Sequence, residues 1–422
     1  MDQLVTERNW AGNYGYQAPE IAHPGSLEEL QERVARASKI RPLGSRHSFN
    51  DIADSSGPLV VLDRLGPEIS VDVRKMTVTV SGGTHYGKLA SELERLGFAL
   101  HNLASLPHIT VAGAVATATH GSGDTNGNLA TAVSGLEMIT ADGNILTVRR
   151  GDVDFDGMVV GLGALGIVTR VTLDIEPSFR IGQQVIESLD WEQVLEDFDQ
   201  VTSAAYSVSL FTDWSGGTVG QAWLKSRVGD PVATDVPSAF FGGTPAVAAM
   251  HPLPGVSGRN CTQQLGIPGP WSDRLAHFRL EFTPSKGDEL QSEYLIPREH
   301  AVGALRTMRK LADVVTPLLL VSEIRTIAAD KLWLSPNYGR DGIGLHFTWR
   351  QDLPAVQLIL PLLEAELAPF AARPHWGKLF DGGRASLAPL YPRFDDFTAL
   401  ADRLDPTGKF RNSFLSRAVF GN

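Results

Sequence analysis

Glu323 and Arg325 stand two residues apart in the run Leu318-Leu319-Leu320-Val321-Ser322-Glu323-Ile324-Arg325. The apolar neighbours predict a buried strand, and on a strand residues i and i+2 share a face. Two opposite charges therefore point the same way from a place where an unpaired charge is costly. They either form a structural ion pair or are used in binding. His346 and Thr348 repeat the spacing in a second predicted strand, Ile343 to Trp349. A single histidine in a core is as often structural as functional, so its role stays open on residue type alone. So does that of Lys378, after His375-Trp376-Gly377, which alone could be a solvated surface lysine.

Two other segments suit a bulky, phosphate-bearing ligand. Arg41-Pro42-Leu43-Gly44-Ser45-Arg46-His47-Ser48-Phe49-Asn50 packs a glycine, arginines, hydroxyls and a histidine into one turn. Backbone N–H groups in glycine conformations can cradle an anion, although a polar surface turn has the same composition. The run His108 to Gly123, with Thr110-Val111-Ala112-Gly113-Ala114-Val115-Ala116-Thr117 at its centre, is apolar yet built almost wholly of small residues. It either lets something large approach the backbone or packs a helix tightly.

Gly161-Leu162-Gly163-Ala164-Leu165-Gly166 matches G-x-G-x-x-G, but a nicotinamide-dinucleotide site needs a strand before it and a helix opening inside it. Here a β-branched alternation, Ile167 to Leu173, follows instead, which predicts a helix ending in glycines before a strand. His101, His108 and His120 lack the i, i+4 spacing of a metal motif, so no metal is expected. The lone Cys261 excludes an internal disulfide, an iron–sulfur cluster and a CxxC motif, and it fits a reducing, cytoplasmic setting.

The elements that must position these groups are legible in outline. Ser26-Leu27-Glu28-Glu29 is a capping box before an amphipathic helix through Leu30, Val34 and Ala37. Leu59–Leu62 and Met76–Val80 predict strands, and Tyr86–Leu96 a second helix stopped by Gly97. Leu136–Thr140 and Ile145–Val148 predict a hairpin closed by Asp142-Gly143. After about residue 175 the character changes. A stretch dense in Pro and Gly spans 229–270, then Leu280–Phe282 and Glu293–Ile296 read as extended, Arg298–Leu311 as helix and Ala355–Ala372 as helix despite Pro361.

The chain has 422 residues with 37 basic and 48 acidic side chains, so its net charge is 37 − 48 = −11. That balance argues against nucleic-acid and anionic-membrane partners. The length suits two or three domains. No apolar run approaching the ~20 residues of a membrane span is read, and the opening MDQLVTERNWAGNYGYQ has no leader pattern.

Arg46-His47-Ser48-Phe49-Asn50 and the His108–Gly123 run resemble the flavin-binding signatures of the vanillyl-alcohol oxidase family. Gly161–Val168, His375-Trp376-Gly377-Lys378 and Asp405-Pro406-Thr407-Gly408-Lys409-Phe410-Arg411-Asn412 match it too, in family order. The resemblance covers nearly the whole chain, and within the family it is nearest to the branch that oxidises sugar alcohols, with the aldonolactone oxidases next. It implies an α+β fold. A two-subdomain FAD-binding domain would comprise residues 1–175 and a returning segment, 376–422. A substrate domain with an antiparallel sheet flanked by helices would comprise residues 176–375. The flavin would lie at their boundary.

The same resemblance implies FAD attached covalently through one histidine, His47, whose neutral imidazole can attack the flavin methyl carbon. Relatives with a second bond need a cysteine in the flavin domain, and Cys261 lies outside that motif. Further FAD contacts carried over are Pro42, Leu43, Gly44, Ser45, Arg46, Ser48, Ser105, Thr110, Gly113, Ala114, Thr117, His120, Gly121, Ser122, Gly166, Ile167 and Val168. Substrate contacts carried over are Ser105, Glu323, Arg325, His346, Thr348 and Lys378, of which Lys378, Arg325 and His346 are the catalytic set.

The implied reaction oxidises the terminal hydroxyl of an alditol, such as xylitol or sorbitol, to the aldose. Hydride would pass to flavin N5 and O2 would be reduced to H2O2. Lys378 or Arg325 would balance the charge of the reduced flavin, and His346 or Lys378 would take the hydroxyl proton. Ala104, a small residue beside Ser105, is compatible with oxygen access. An aldonolactone oxidase or dehydrogenase shares Glu-x-Arg and His-Trp-x-Lys and remains the alternative, with a non-catalytic sugar-binding relative behind it. The expected partners are a small polyol and O2, with no nucleic acid and no membrane, acting on a monomer.

Overall fold

A computed structural model describes residues 7–66, 69–229, 239–282 and 288–421. The first six residues of the opening segment, and 230–238 of the Pro- and Gly-dense stretch, lie outside the described residues.

Helix α1 (Leu27–Arg36) begins where Ser26 Oγ accepts from Glu29 N at 3.2 Å, and it buries Leu30 and Val34. It packs by a parallel three-stranded sheet of β1 (Ile21–Ala22), β2 (Arg41–Pro42) and β3 (Leu59–Val60). A second, antiparallel sheet has the order β4-β5-β9-β7-β8. Its strands are β4 (Ile69–Asp72), β5 (Thr77–Ser81), β7 (Val133–Ile139), β8 (Ile145–Arg149) and β9 (Ile167–Asp174). Helices α2 (Tyr86–Arg95), α3 (Val111–Ala116) and α4 (Phe155–Val159) pack on it, and β6 (Phe98–Ala99) pairs with β10 (Glu176–Pro177). The G-x-G-x-x-G segment runs from the end of α4 into β9, with Leu162 and Gly163 in the left-handed region at φ 52° and 66°. No helix opens there to hold a pyrophosphate.

The larger half is a nine-stranded sheet of order β14-β11-β13-β12-β17-β18-β16-β19, with β15 paired to β11. The strands are β11 (Arg180–Asp190), β12 (Ser207–Thr212), β13 (Thr218–Arg227), β14 (Thr244–Pro245), β15 (Gly269–Pro270), β16 (Glu289–Pro297), β17 (Leu319–Ile327), β18 (Gly342–Arg350) and β19 (Arg373–Pro374). Every pairing in it is antiparallel. One face buries Leu210, Ile324, Leu345, Phe347 and Trp349 under α5 (Trp191–Glu196), α6 (Phe198–Ser203), α7 (Ala301–Lys310), α8 (Ala312–Val315) and α9 (Leu353–Leu367). Strand alternation sends Phe211, Glu293, Glu323, Arg325, His346 and Thr348 to the opposite face, where they line a cavity shared with the first half.

The chain end, with α10 (Arg384–Leu387), α11 (Phe394–Leu404) and α12 (Ser413–Leu415), returns to the first half. Lys409 Nζ donates to the carbonyls of Val34 and Ala141, each at 2.6 Å. Asn412 Nδ2 reaches the carbonyls of Asp51, Ile52 and Asp54 at 2.9, 3.1 and 2.8 Å. The Asp405–Asn412 segment therefore acts as a clasp, satisfying carbonyls in α1, just after β7 and in the turn at 51–54.

Two expectations fail locally. Leu280–Phe282 is a turn, closed by Phe282 N donating to Arg279 O at 3.3 Å, and among the described residues no strand pairs with it. The helix from Ala355 stops at Leu367, passes through a 3-10 turn and breaks at Ala371, which is left-handed at φ 51°. The absence of any span-length apolar stretch is also corrected. The 18 residues Leu353–Phe370, mean hydropathy 1.4, are long and apolar enough to cross a membrane. Here Val356, Ile359, Leu360, Leu363 and Leu367 pack on the large sheet, while Leu358 faces outward.

Candidate active site

A cavity of about 830 Å³ runs between the two halves. One end is built from backbone and small side chains. The turn after β2 supplies Pro42 to Ser48, α3 supplies Gly113, Ala114 and, at its end, Thr117, and β9 with its entry supplies Gly166 and Val168. A Cβ at Gly44 would lie 2.6 Å from Thr110 Oγ1, so the turn and α3 can approach only because position 44 is glycine. The His47 ring stacks on Trp10, with centroids 5.2 Å apart. Burial pushes His47 down to about 4. Its imidazole is therefore neutral near pH 7, and its buried Nδ1 has no hydrogen-bond partner. A nucleophilic, unengaged ring nitrogen beside a glycine-lined cradle fits FAD bound there. Arg46, left-handed at φ 64°, pairs with Glu7 at 2.8 Å. Arg41 is buried and turned to the carbonyls of Ile52 (2.6 Å) and Leu162 (3.0 Å), fastening the turn to the strand behind it.

The other end is built from charge. Glu323 on β17, His346 on β18 and Glu293 on β16 lie directly opposite one another across three strands. Glu293 is the hub. Lys378 Nζ donates to its Oε2 at 2.6 Å and Arg325 Nη2 to its Oε1 at 2.6 Å. Burial opposes the charge of Glu293, but Lys378 and Arg325 outweigh it and hold the carboxyl well below its ordinary range. Burial likewise opposes that of Glu323, which Arg325 and His277 hold low. Lys378 Nζ also meets His346 Nδ1 at 2.7 Å. An ammonium only donates, so Nδ1 accepts and the ring proton sits on Nε2, facing Thr348 Oγ1 at 3.1 Å. Burial, with Lys378 beside it, keeps His346 neutral, and burial also lowers Lys378. Proton exchange is therefore possible within this pair, which titrates as one unit.

The structure brings Ser105, Glu323, Arg325, His346, Thr348 and Lys378 together on this cavity. With them are Pro42, Leu43, Gly44, Ser45, Arg46, His47, Ser48, Thr110, Gly113, Ala114, Thr117, His120, Gly166 and Val168. Three expected cofactor residues do not line it. Ile167 points to the other side of β9, into the core with Leu30, Val34 and Phe410. Ser122 Oγ is turned to Val208 O. Gly121 is pressed against Leu103 and Asn102, where a Cβ would meet Leu103 O at 2.4 Å. His120 lines the cavity, its Nε2 3.4 Å from Glu293 Oε1 without a hydrogen bond.

Glu293 is the main residue that sequence reasoning misses. Its partners lie 32 and 85 residues away. The signal that could find it is the Gln291, Glu293 spacing, which repeats the i, i+2 pattern of Glu323 and Arg325. His277 is missed too, and it bonds Glu323 Oε1 through Nε2 at 2.7 Å.

Comparison with known proteins agrees with this geometry. Residues 18–149 match the FAD binding domain family and residues 286–418 match the D-arabinono-1,4-lactone oxidase family. The chain is 50% identical to an alditol oxidase from Streptomyces sp. (strain IKD472 / FERM P-14339), over 100% of both chains. It is 29% identical to an L-gulono-1,4-lactone dehydrogenase from Mycobacterium tuberculosis, over 97% of this chain and 98% of that one. A solved cholesterol oxidase from B. sterolicum superposes with TM-score 0.76 at 16% identity, covering 98% of this chain and 96% of the other, which speaks for the fold alone.

Proposed function

This chain belongs to the vanillyl-alcohol oxidase family of FAD-dependent oxidases, and on that premise we propose that it oxidises the terminal hydroxyl of a small alditol, of the xylitol or sorbitol type, to the aldose. The observation that carries the reading is the buried set Glu293, Glu323, Arg325, His346 and Lys378, gathered on one sheet face at the end of a cofactor-sized cavity. Two carboxylates and three nitrogenous groups match a neutral substrate rich in hydroxyls and mismatch an apolar one, whose binding would leave them unpaired.

Bound FAD would take a hydride from the substrate carbon and pass the two electrons to O2, giving H2O2. His47 would hold the flavin by a single covalent bond, since the only cysteine, Cys261, is buried away from the cavity wall. Glu323 and Thr348 accept or share hydrogen bonds with successive substrate hydroxyls. The His346–Lys378 pair takes the proton of the reacting hydroxyl. Arg325 and Lys378 place positive charge where the site gains negative charge, and Glu293 fixes both. The buried lone thiol is compatible with a cytoplasmic setting.

A second reading, oxidation of an aldonolactone, is favoured by the match over residues 286–418, which contains Glu293, Glu323, Arg325, His346 and Lys378. A peroxide assay across xylitol, sorbitol, L-gulono-1,4-lactone and D-arabinono-1,4-lactone separates the two. Turnover of the alditols at a higher kcat/KM supports the first reading. Turnover of the lactones alone overturns it.

A further inference from the structure

Beside the substrate site, on the same face of the sheet, lies a polar cluster with no part in the chemistry above. Lys225, on β13, is 1% exposed, and three acceptors ring its Nζ. They are Leu275 O at 2.5 Å, Ala276 O at 3.0 Å and His277 Nδ1 at 3.1 Å. An ammonium has three protons and no lone pair, so each acceptor receives one. Nδ1 of His277 is thereby committed as an acceptor, and the ring proton sits on Nε2, which donates to Glu323 Oε1 at 2.7 Å.

Phe211 and Trp223 pack edge-on against the His277 ring, with centroids at 5.6 and 5.1 Å, and confine it. Its backbone N–H donates to Ser105 O at 3.1 Å, tying it to the cofactor half. Burial pushes His277 down to about 4, so the ring is neutral and has one proton to place. Burial also pulls Lys225 down to about 7, with Glu323 opposing that loss of charge, so the ammonium that donates to Nδ1 prevails below about pH 7.

We propose that Lys225 and His277 are positioning residues for substrate recognition: Lys225 sets the tautomer of His277, and His277 holds Glu323 as an aimed, acceptor-only carboxylate that reads a substrate hydroxyl. The inference rests on the polyol reading of the site. It adds that selectivity for the hydroxyl facing Glu323 originates on β13, one residue removed from the cavity wall. With the opposite tautomer, Nε2 would present a lone pair to the carboxylate, and Glu323 would be pushed out of place or protonated.

The test uses the FAD-loaded holoenzyme and three variants. His277→Leu removes the link. His277→Gln keeps it, because an amide oxygen accepts from Lys225 while the amide NH2 donates to Glu323. Lys225→Met removes one of the two partners that hold the tautomer. His277→Leu is expected to raise KM for xylitol by about 10- to 100-fold, the loss of one hydrogen bond to a charged group. Its kcat should change by less than about threefold, the mark of lost uniform binding, and His277→Gln should restore KM to within about threefold of wild type. Nitrogen-15 histidine NMR below pH 7, with the His277 resonance identified by its absence in His277→Gln, should show the Nε2–H tautomer in the wild type and a weakened preference for it in Lys225→Met, where the Glu323 carboxylate alone still favours Nε2–H. Equal KM values for the Leu and Gln variants, or an Nδ1–H tautomer in the wild type, overturns the proposal. If His277→Leu does not fold, the wild-type and Lys225→Met spectra decide. A wild type that turns over no polyol sinks the functional reading, while the tautomer result stands on its own.

Discussion

The two ends of the cavity recognise by opposite means. At the His47 end the wall is a glycine turn, the small-residue face of α3 and the entry to β9, so recognition rests on shape and backbone. At the Lys378 end the wall is five charged or ionisable side chains from three adjacent strands and one loop, so recognition rests on charge and register. The first arrangement turns on size: at Gly44 and Gly166 even a Cβ would lie 2.6 Å from a neighbouring atom. The second tolerates almost no substitution, because a buried charge that loses its partner is more costly than the pair is favourable.

That difference predicts which measurement each variant moves. Glu293→Gln should lower the anaerobic rate of flavin reduction by about 10²- to 10³-fold, since it releases both Lys378 and Arg325 from their positions, while leaving FAD content at wild-type level. Lost FAD instead of lost rate would break the division between the ends. Gly44→Val should do the reverse. Its side chain invades the space of Thr110, weakening cofactor uptake by about tenfold as measured by the flavin-to-protein absorbance ratio, with little change in turnover per bound flavin. His47→Ala should release all flavin on acid precipitation, where the wild type retains it, and lower turnover by roughly tenfold or less. Yellow precipitate from that variant would move the attachment elsewhere.

Acid stability gives the smallest effect and spans both ends. His47 and His277 titrate near 4 when folded and near ~6.5 when unfolded. The unfolded chain therefore binds these protons first as pH falls. The contribution of both groups is complete above about 6.5 and declines through the window down to about 4. Below that, the depressed Glu293 and Glu323 act in the same direction. Thermal melts should fall by several degrees between pH 7 and pH 5, and His277→Gln should recover about 2 kcal/mol of the loss at pH 5. A flat profile would mean that the two histidines titrate no differently in the folded and the unfolded chain.

The same contrast explains what the amino-acid sequence makes legible. The cofactor end is written in contiguous segments, 41–50 and 108–123, because backbone recognition is local. The capped helix at Ser26, the Asp142-Gly143 hairpin and the glycines after α4 are legible for the same reason. Glu323 and Arg325, and His346 and Thr348, stand out because strand periodicity places i and i+2 on one face. Glu293, His277 and Lys225 do not, since their side-chain contacts reach residues far apart in the chain. Ile167, Gly121 and Ser122 belong to the flavin motifs yet miss the cavity, because motif membership does not say which side of a strand or turn a residue faces. Leu280–Phe282 has the composition of a strand but pairs with no strand among the described residues.

The most direct test of the central claim is the visible spectrum of the purified protein, recorded anaerobically, then with xylitol, then after admitting air. The account predicts a flavin band that xylitol bleaches and air restores. A band that saturating xylitol and sorbitol leave unchanged, but an aldonolactone bleaches, would contradict alditol oxidation while leaving the fold and the cofactor end intact.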